Sequence, residues 1–380
     1  MEIYLDNSAT TKPYEEVIED VSSTMRNYYG NPSSAHSLGF KAEQKLRETR
    51  ANIAKSINAS SEEIIFTSGG SESNNFLIKG FAKSTSNIIT TKIEHPSILN
   101  TFKVLENSGI KVIYIDVDEN GKIDVLQLID SITKDTQIVS VMHVNNEVGV
   151  VQDIELIGKL IKEKSSRAKF HVDAVQSYGK HPIDVQKFNI DLLSTSAHKI
   201  HGPRGIGFAY IRKGLMPNCL ISGGGQERNL RSGTENLAGI VGFGTATEII
   251  CKNMHENFKK VLEVKKYFIE KLAQLEDVII NSKLDKNYTP YILSVSFKGV
   301  KGEVLLHSLE EKGIYVSTGS ACSEKNSKSS EILKSLGRDL QEQIGTIRFS
   351  FSEYNNKDEI DYVMIELDKS LIFLRKLNKR

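Results

Sequence analysis

Lys199 stands in the run Ser194-Thr-Ser-Ala-His-Lys-Ile-His201, one amine between two imidazoles. Upstream, the apolar run Phe170-His-Val closes on a carboxylate, Asp173, with Gln176 three residues further on. An acid at a strand end and a lysine in a Ser/His turn are the two groups that pyridoxal 5'-phosphate asks of a protein. The amine captures the aldehyde, and the carboxylate pairs with the protonated pyridine nitrogen. An isolated lysine is far more often a solvated surface charge, so the reading depends on the residues around the pair.

Several of these have chemistry to offer. Ser68-Gly-Gly70-Ser71-Glu lies between a strand and a helix, where glycines let backbone N–H groups approach an anion at the helix N-terminus. The alternative there is an ordinary cap by Ser71 or Ser73. His95, in Glu-His-Pro-Ser, can stack on a flat ring or move a proton; a solvated loop histidine is the plainer reading. Asn145-Asn146-Glu-Val-Gly149 follows an apolar strand, so an amide there can donate to a phenolic oxygen, or the run is simply a turn. A buried Asp173 needs a partner, which a cationic ring nitrogen supplies, and Gln176 can reach the same ring. His198 and His201 have no carboxylate or thiol beside them to complete a metal centre, so no metal is expected.

Cys322 sits among small polar residues with Lys325 and Lys328 close by, which favours an exposed, reactive thiolate on a mobile loop. Cys251, in an apolar helical stretch, reads instead as a buried thiol. Arg348 alternates with apolar neighbours on a strand. It either faces water or offers the planar fork that holds an amino-acid carboxylate in two hydrogen bonds.

These groups need a scaffold, and 380 residues suffice for two domains. Hydrophobic content of 39% and charged content of 26% fit a soluble globular chain. A net charge of +1 gives no basic field to recruit nucleic acid or an anionic membrane. No run reaches the ~18 apolar residues of a membrane span. The first residues carry acids and no apolar secretory core, and three scattered cysteines make no disulfide framework. The expectation is a reduced, cytoplasmic protein.

Short apolar runs at 64–66, 88–90, 112–115, 138–142, 170–172 and 192–193 alternate with helical patterns such as 74–83 and 154–161. That alternation predicts an α/β fold with a mostly parallel sheet, and ligands in such sheets sit beyond the carboxyl ends of the strands. Residues 67–72, 145–147, 173–176 and 194–199 all follow strands and should meet in one crevice. A glycine-rich loop at 221–236 precedes a long helix at about 237–275. Further strands at 278–280, 292–297, 314–316 and 346–351 and helices at 303–312, 329–336 and 357–374 make a second domain.

Taken together, the ordered runs Tyr4-Leu-Asp-Asn-Ser-Ala-Thr-Thr, Gly30-Asn-Pro-Ser-Ser-Ala-His36, His143-Val-Asn-Asn-Glu-Val-Gly, His171-Val-Asp-Ala-Val-Gln, Ala197-His-Lys199, Arg231-Ser-Gly-Thr-Glu-Asn236, Gly319-Ser-Ala-Cys322 and Ile347-Arg-Phe-Ser350 resemble the NifS/IscS family of cysteine desulfurases. The resemblance implies fold-type I architecture: an N-terminal segment 1–15 packed with the small domain, a large domain 16–255 with a seven-stranded sheet, and a small α+β domain 256–380. It implies that Lys199 carries the cofactor, Asp173 pairs with the pyridine nitrogen and His95 stacks on the ring as acid/base. Asn146 and Gln176 would contact the pyridoxal oxygen. Gly70, Ser71, Ser196 and His198 would hold the phosphate, and Thr234 would reach the phosphate of a second subunit, making a homodimer. Arg348, with Asn146, would bind the substrate L-cysteine, and Cys322 would take its sulfur for sulfur-acceptor proteins such as an iron–sulfur scaffold or a tRNA thiolation enzyme. Ser71 replaces the usual Thr and Ser350-Phe-Ser352 the usual Ser-Leu-Gly; neither removes a functional group. A selenocysteine lyase or an aminotransferase on the same scaffold, and a non-catalytic sulfur-assembly partner, are the alternatives.

Overall fold

The computed structural model describes residues 2–318 and 330–378. Runs of β-branched residues are buried on both sides: Thr136–Met142 has no exposed position, as a central parallel strand requires. The described residues hold twelve strands: β1 (Ile3–Tyr4), β2 (Ile64–Thr67), β3 (Asn87–Thr91), β4 (Lys111–Ile115), β5 (Thr136–Met142), β6 (Lys169–Asp173), β7 (Leu192–Ser194), β8 (Gly207–Ile211), β9 (Val278–Ile280), β10 (Ile292–Phe297), β11 (Ile314–Tyr315) and β12 (Thr346–Ser350). Seven of them form one sheet in the order β2-β8-β7-β6-β5-β3-β4. β4, β3, β5, β6 and β7 pair in parallel, and β8 alone runs against its neighbours β7 and β2. The mostly parallel α/β sheet expected from the sequence is present.

Side chains leave each strand alternately to two layers. Phe66, Ile89, Val139, Phe170, Val172 and Leu193 pack under the helices Ser37–Lys55, Ile154–Lys164 and the first half of Leu237–Leu272. Ile65, Ile88, Ile138 and Leu192 pack under Gly70–Phe81 and Pro96–Asn107 through Phe76, Leu77, Ile98 and Phe102. A separate core surrounds the antiparallel sheet β12-β10-β9 and takes Val261, Val264, Phe268 and Leu272 from the second half of the long helix. That single helix of 36 residues, about 54 Å long, therefore serves two cores.

β1 pairs in parallel with β11, and Ile3 and Leu5 lie in the second core. The chain then turns back to the rim of the large sheet, where the Thr11 N–H donates to the carbonyl of His198 at 2.9 Å. The N-terminal run thus lies between β12 and the Lys199 turn.

Some boundaries differ from the sequence reading. The expected helix at 74–83 is Gly70–Phe81, with Gly69 as N-cap at φ 150 and no side-chain cap, so neither Ser71 nor Ser73 caps it. The helix expected at 329–336 is Glu331–Ser335, capped by the Ser330 side chain. Leu340–Ile344, closed by a reciprocal Asp339/Glu342 cap, is too short for periodicity to reveal.

Candidate active site

The carboxyl ends of β2, β3, β5, β6 and β7 supply the predicted residues, and the fold brings most of them to one rim. Asp173 is the last residue of β6 and is 5% exposed. Its Oδ1 accepts from the Val175 N–H at 3.0 Å and its Oδ2 from Asn74 Nδ2 at 2.9 Å. Each oxygen keeps a lone pair for a further donor.

Lys199 ends the short turn after β7, and its Nζ donates to the carbonyls of Ser8 and Ala9 at 2.6 and 2.7 Å. Gln176 donates from Nε2 to the same Ser8 carbonyl at 2.9 Å, while its buried Oε1 has no partner. Ser8 Oγ and Asn74 Oδ1 are likewise buried without partners. Leaving three acceptor-capable atoms buried without partners costs free energy that a bound donor would offset.

His95 is not a solvated loop residue. It caps the helix Pro96–Asn107, its Nδ1 accepting from the Ser97 N–H at 3.1 Å, and it is half-buried. Burial pulls its pKa below the ordinary value; the charge of Asp173 works upward and that of Lys199 downward. Both charges act on the imidazole, and Ser97, which lies 2.8 Å from His95 Nδ1, accepts in turn from Asn74, the partner of Asp173.

At the end of β2, Gly69 takes a backbone conformation that suits glycine, and a Cβ on Gly70 would lie 2.7 Å from Val175 Cγ2. The helix N-terminus opens here beside Ser196, which is buried, with Ser71 exposed at the start of the helix. His198 Nδ1 lies 3.2 Å from Thr10 Oγ1. Burial first, then the positive charges of Lys199, Arg204 and Lys180, lowers its pKa to about 4, so the ring is neutral at pH 7. Glycine, a helix N-terminus, hydroxyls and a histidine surrounded by cations suit a phosphate. With a lysine, a strand-end carboxylate and unpartnered buried acceptors, the residues present fit pyridoxal phosphate.

Arg348 does not face water: it is 6% exposed on β12. Its Nη1 donates to the Asn146 carbonyl at 3.0 Å and its Nη2 to Asp6 Oδ1 at 2.9 Å, while Nε is buried without a partner. Asn145 rather than Asn146 makes the turn after β5, its Oδ1 accepting from the N–H groups of Glu147 and Val148. Asn146 is half-buried beside Arg348. Thr234 lies exposed in the glycine-rich loop, away from these contacts. Cys322, with Lys325 and Lys328, falls outside the described residues. Cys251 is partly buried in the long helix, and burial raises its thiol to about 11.

Reading the residues for their chemistry missed Asp6, Ser8, Asn74 and Ser97. The signal for the first two was the polar run after β1, which carries no periodicity. Asn74 and Ser97 each lie three residues or fewer from a predicted site residue and look like ordinary helix-surface polar groups.

The chain matches the family model Aminotransferase class-V over residues 3–363. It is 43% identical over 374 residues to the cysteine desulfurase IscS of Clostridium botulinum, covering 97% of this chain and 94% of that one. The cysteine desulfurase IscS of Dictyoglomus turgidum is 41% identical over 382 residues, covering 99% and 96%. A solved NifS-like protein superposes with a TM-score of 0.93 at 39% identity, over 98% of this chain and all of the other.

Proposed function

This chain belongs to the class-V aminotransferase family, and on that premise we propose that it is a pyridoxal phosphate-dependent cysteine desulfurase. The observation that carries the reading is the hydrogen-bonded grouping of these residues on one rim: Lys199 and Gln176 meet at the Ser8 carbonyl, Asn74 and Ser97 link Asp173 to His95, and the buried Arg348 fork lies close to Asn146. The bound cofactor supplies an electron sink for carbon–hydrogen and carbon–sulfur bond breaking. Everything else is asked of the protein's own side chains.

Lys199 would hold the cofactor covalently, and its free Nζ would take the α-proton of L-cysteine. Asp173 keeps the pyridine nitrogen protonated. His95 would stack on the ring and move a proton at its imidazole. Gln176 and Asn146 contact the ring oxygen, and Gly70, Ser71, Ser196 and His198 hold the phosphate. Thr234, exposed on its loop, reaches the phosphate of a second copy in a homodimer. Arg348, with Asn146, binds the substrate carboxylate. The Cys322 thiolate attacks the substrate sulfur: the sulfur–carbon bond breaks, the carbon skeleton leaves as L-alanine, and the sulfur stays as a persulfide. Thiolate plus L-cysteine gives persulfide plus L-alanine, which balances without an outside oxidant.

The persulfide then goes to a sulfur-acceptor protein, an iron–sulfur scaffold or a tRNA thiolation enzyme, in the cytoplasm. No described helix is long and apolar enough to cross a membrane. The test is to load the purified chain with pyridoxal phosphate, add L-cysteine with and without reductant, and follow the visible spectrum and alanine. Alanine with sulfide only when reductant is present supports the proposal. Turnover that needs a keto acid and leaves no sulfide would instead identify an aminotransferase.

A further inference from the structure

Two residues outside the proposed machinery, the buried Asn74 and the half-buried Ser97, join Asp173 to His95. The Asn74 amide donates one hydrogen to Asp173 Oδ2 at 2.9 Å and the other to Ser97 Oγ at 2.8 Å. Its orientation is fixed, because turning it over would set Oδ1 against a carboxylate that only accepts. Ser97 Oγ, having accepted from Asn74, lies 2.8 Å from His95 Nδ1. That nitrogen already accepts from the Ser97 N–H at 3.1 Å, so it carries a lone pair and no proton. The Ser97 hydroxyl is therefore the donor, and the direction of every bond in the chain follows from the carboxylate end.

We propose that Asn74 and Ser97 are positioning residues: they tie Asp173 to His95, close His95 Nδ1, and leave Nε2 as its only proton-exchanging nitrogen. The inference rests on the reading that Asp173 and His95 face the cofactor. It gives the site a built-in tautomer. A ring held neutral with its proton on Nε2 can give that proton without first rearranging. The charged groups facing His95 are Asp173 from β6, Lys199 from the turn after β7 and Lys79 from the helix Gly70–Phe81 across the same groove.

The chain of donors has a measurable sign. While Asn74 occupies the Ser97 oxygen, the hydroxyl hydrogen points at His95 and opposes protonation of Nδ1. Without Asn74 the hydroxyl can turn and accept from a protonated Nδ1. Without Ser97 Oγ the opposing hydrogen is gone. Both changes raise the pH at which His95 takes its second proton, by about half to one pH unit for one neutral hydrogen bond.

The experiment is a ¹⁵N-histidine NMR titration of the full chain, with pyridoxal phosphate bound and with it removed. The His95 signal is assigned by its loss in His95→Gln. The wild-type protein should show the Nε2–H tautomer at pH 7. Asn74→Ala and Ser97→Ala should each raise the midpoint, the double variant should match either single one, and Ser97→Thr should restore the wild-type midpoint. Asn74 is fully buried in a helix; should Asn74→Ala not fold, Ser97→Ala and Ser97→Thr at the half-buried site decide the matter. Midpoints unchanged in the Ala variants, or additive in the double variant, would overturn the relay. Failure of the chain to bind pyridoxal phosphate would sink the proposed function, yet the titration of the cofactor-free chain would still judge the relay.

Discussion

Arg348 and Asp6 lie 342 positions apart and form an ion pair, with Nη2 2.9 Å from Oδ1. A fork proposed to hold the substrate carboxylate is thus already held by a carboxylate of the protein. The pair exists because the N-terminal segment bridges to β12 at Ser350 and so passes beside the arginine.

Arg348→Ala should raise the KM for L-cysteine about 10- to 100-fold, the scale of a lost hydrogen bond between charged groups. The absorbance of bound cofactor should persist. Asp6→Asn, which keeps the shape and removes the charge, should raise KM only several-fold. Steady-state kinetics on both variants check this. An unchanged KM in Arg348→Ala would place the substrate carboxylate elsewhere.

His171 lies wholly inside the sheet between two hydroxyls, Ser140 Oγ at 2.8 Å and Ser194 Oγ at 3.0 Å. Burial lowers its pKa to about 3. The folded value lies below the unfolded one, so its neutral form contributes stability above the ordinary value near 6.5 that is lost as pH falls. At about pH 5.5 this group alone should cost on the order of 1 kcal/mol relative to neutral pH. Urea unfolding at both pH values, compared with His171→Asn, should show a less stable variant with a flatter pH dependence.

Glu94 has the opposite sign. It is buried beside His95, with Oε1 accepting from Thr91 Oγ1 and the Met142 N–H, and Oε2 without a partner. Burial raises its pKa to about 8, the two hydrogen bonds work downward, and the charge of Asp173 works upward. The folded value exceeds the unfolded one near 4.5, so its contribution is complete below that pH and is lost as pH rises through about 8. Glu94→Gln should remove this alkaline loss, so its melting temperature should fall less than wild type's between about pH 5 and about pH 8. Parallel slopes would mean that the carboxyl ionises in the folded protein without cost.

Lys199 should be the one residue that captures the aldehyde. Borohydride reduction of the loaded protein followed by peptide mass spectrometry should find the label there. Lys199→Ala should carry none, although phosphate contacts can still retain the cofactor. A label on Lys180 or another lysine would remove Lys199 from its role.

Much of this was legible in the sequence. Ile138, Val139, Val141 and Met142 in β5, and Phe170 and Val172 in β6, are the apolar residues that mark these buried strands. Asp173 was found because it ends such a strand, and Lys199 because it lies in the polar turn after the next one, β7. What stayed hidden were partnerships set by tertiary packing. Asp6 reads as a turn residue until β1 pairs with β11 and carries it to Arg348. Asn74 and Ser97 read as helix-surface polar groups until two helices meet over β6. Gly69 shows why the start of the first site helix was misplaced: serines further along are good caps by composition, but the sharp turn out of β2 needs glycine.

The most direct test is a single-turnover reaction of the loaded protein with L-cysteine and no reductant, measuring alanine beside the mass of the peptide that contains Cys322. The account predicts alanine and Cys322 persulfide in equal amounts, with neither formed by Cys322→Ala although that variant keeps its bound cofactor. Alanine and sulfide released at the full rate by Cys322→Ala would contradict it.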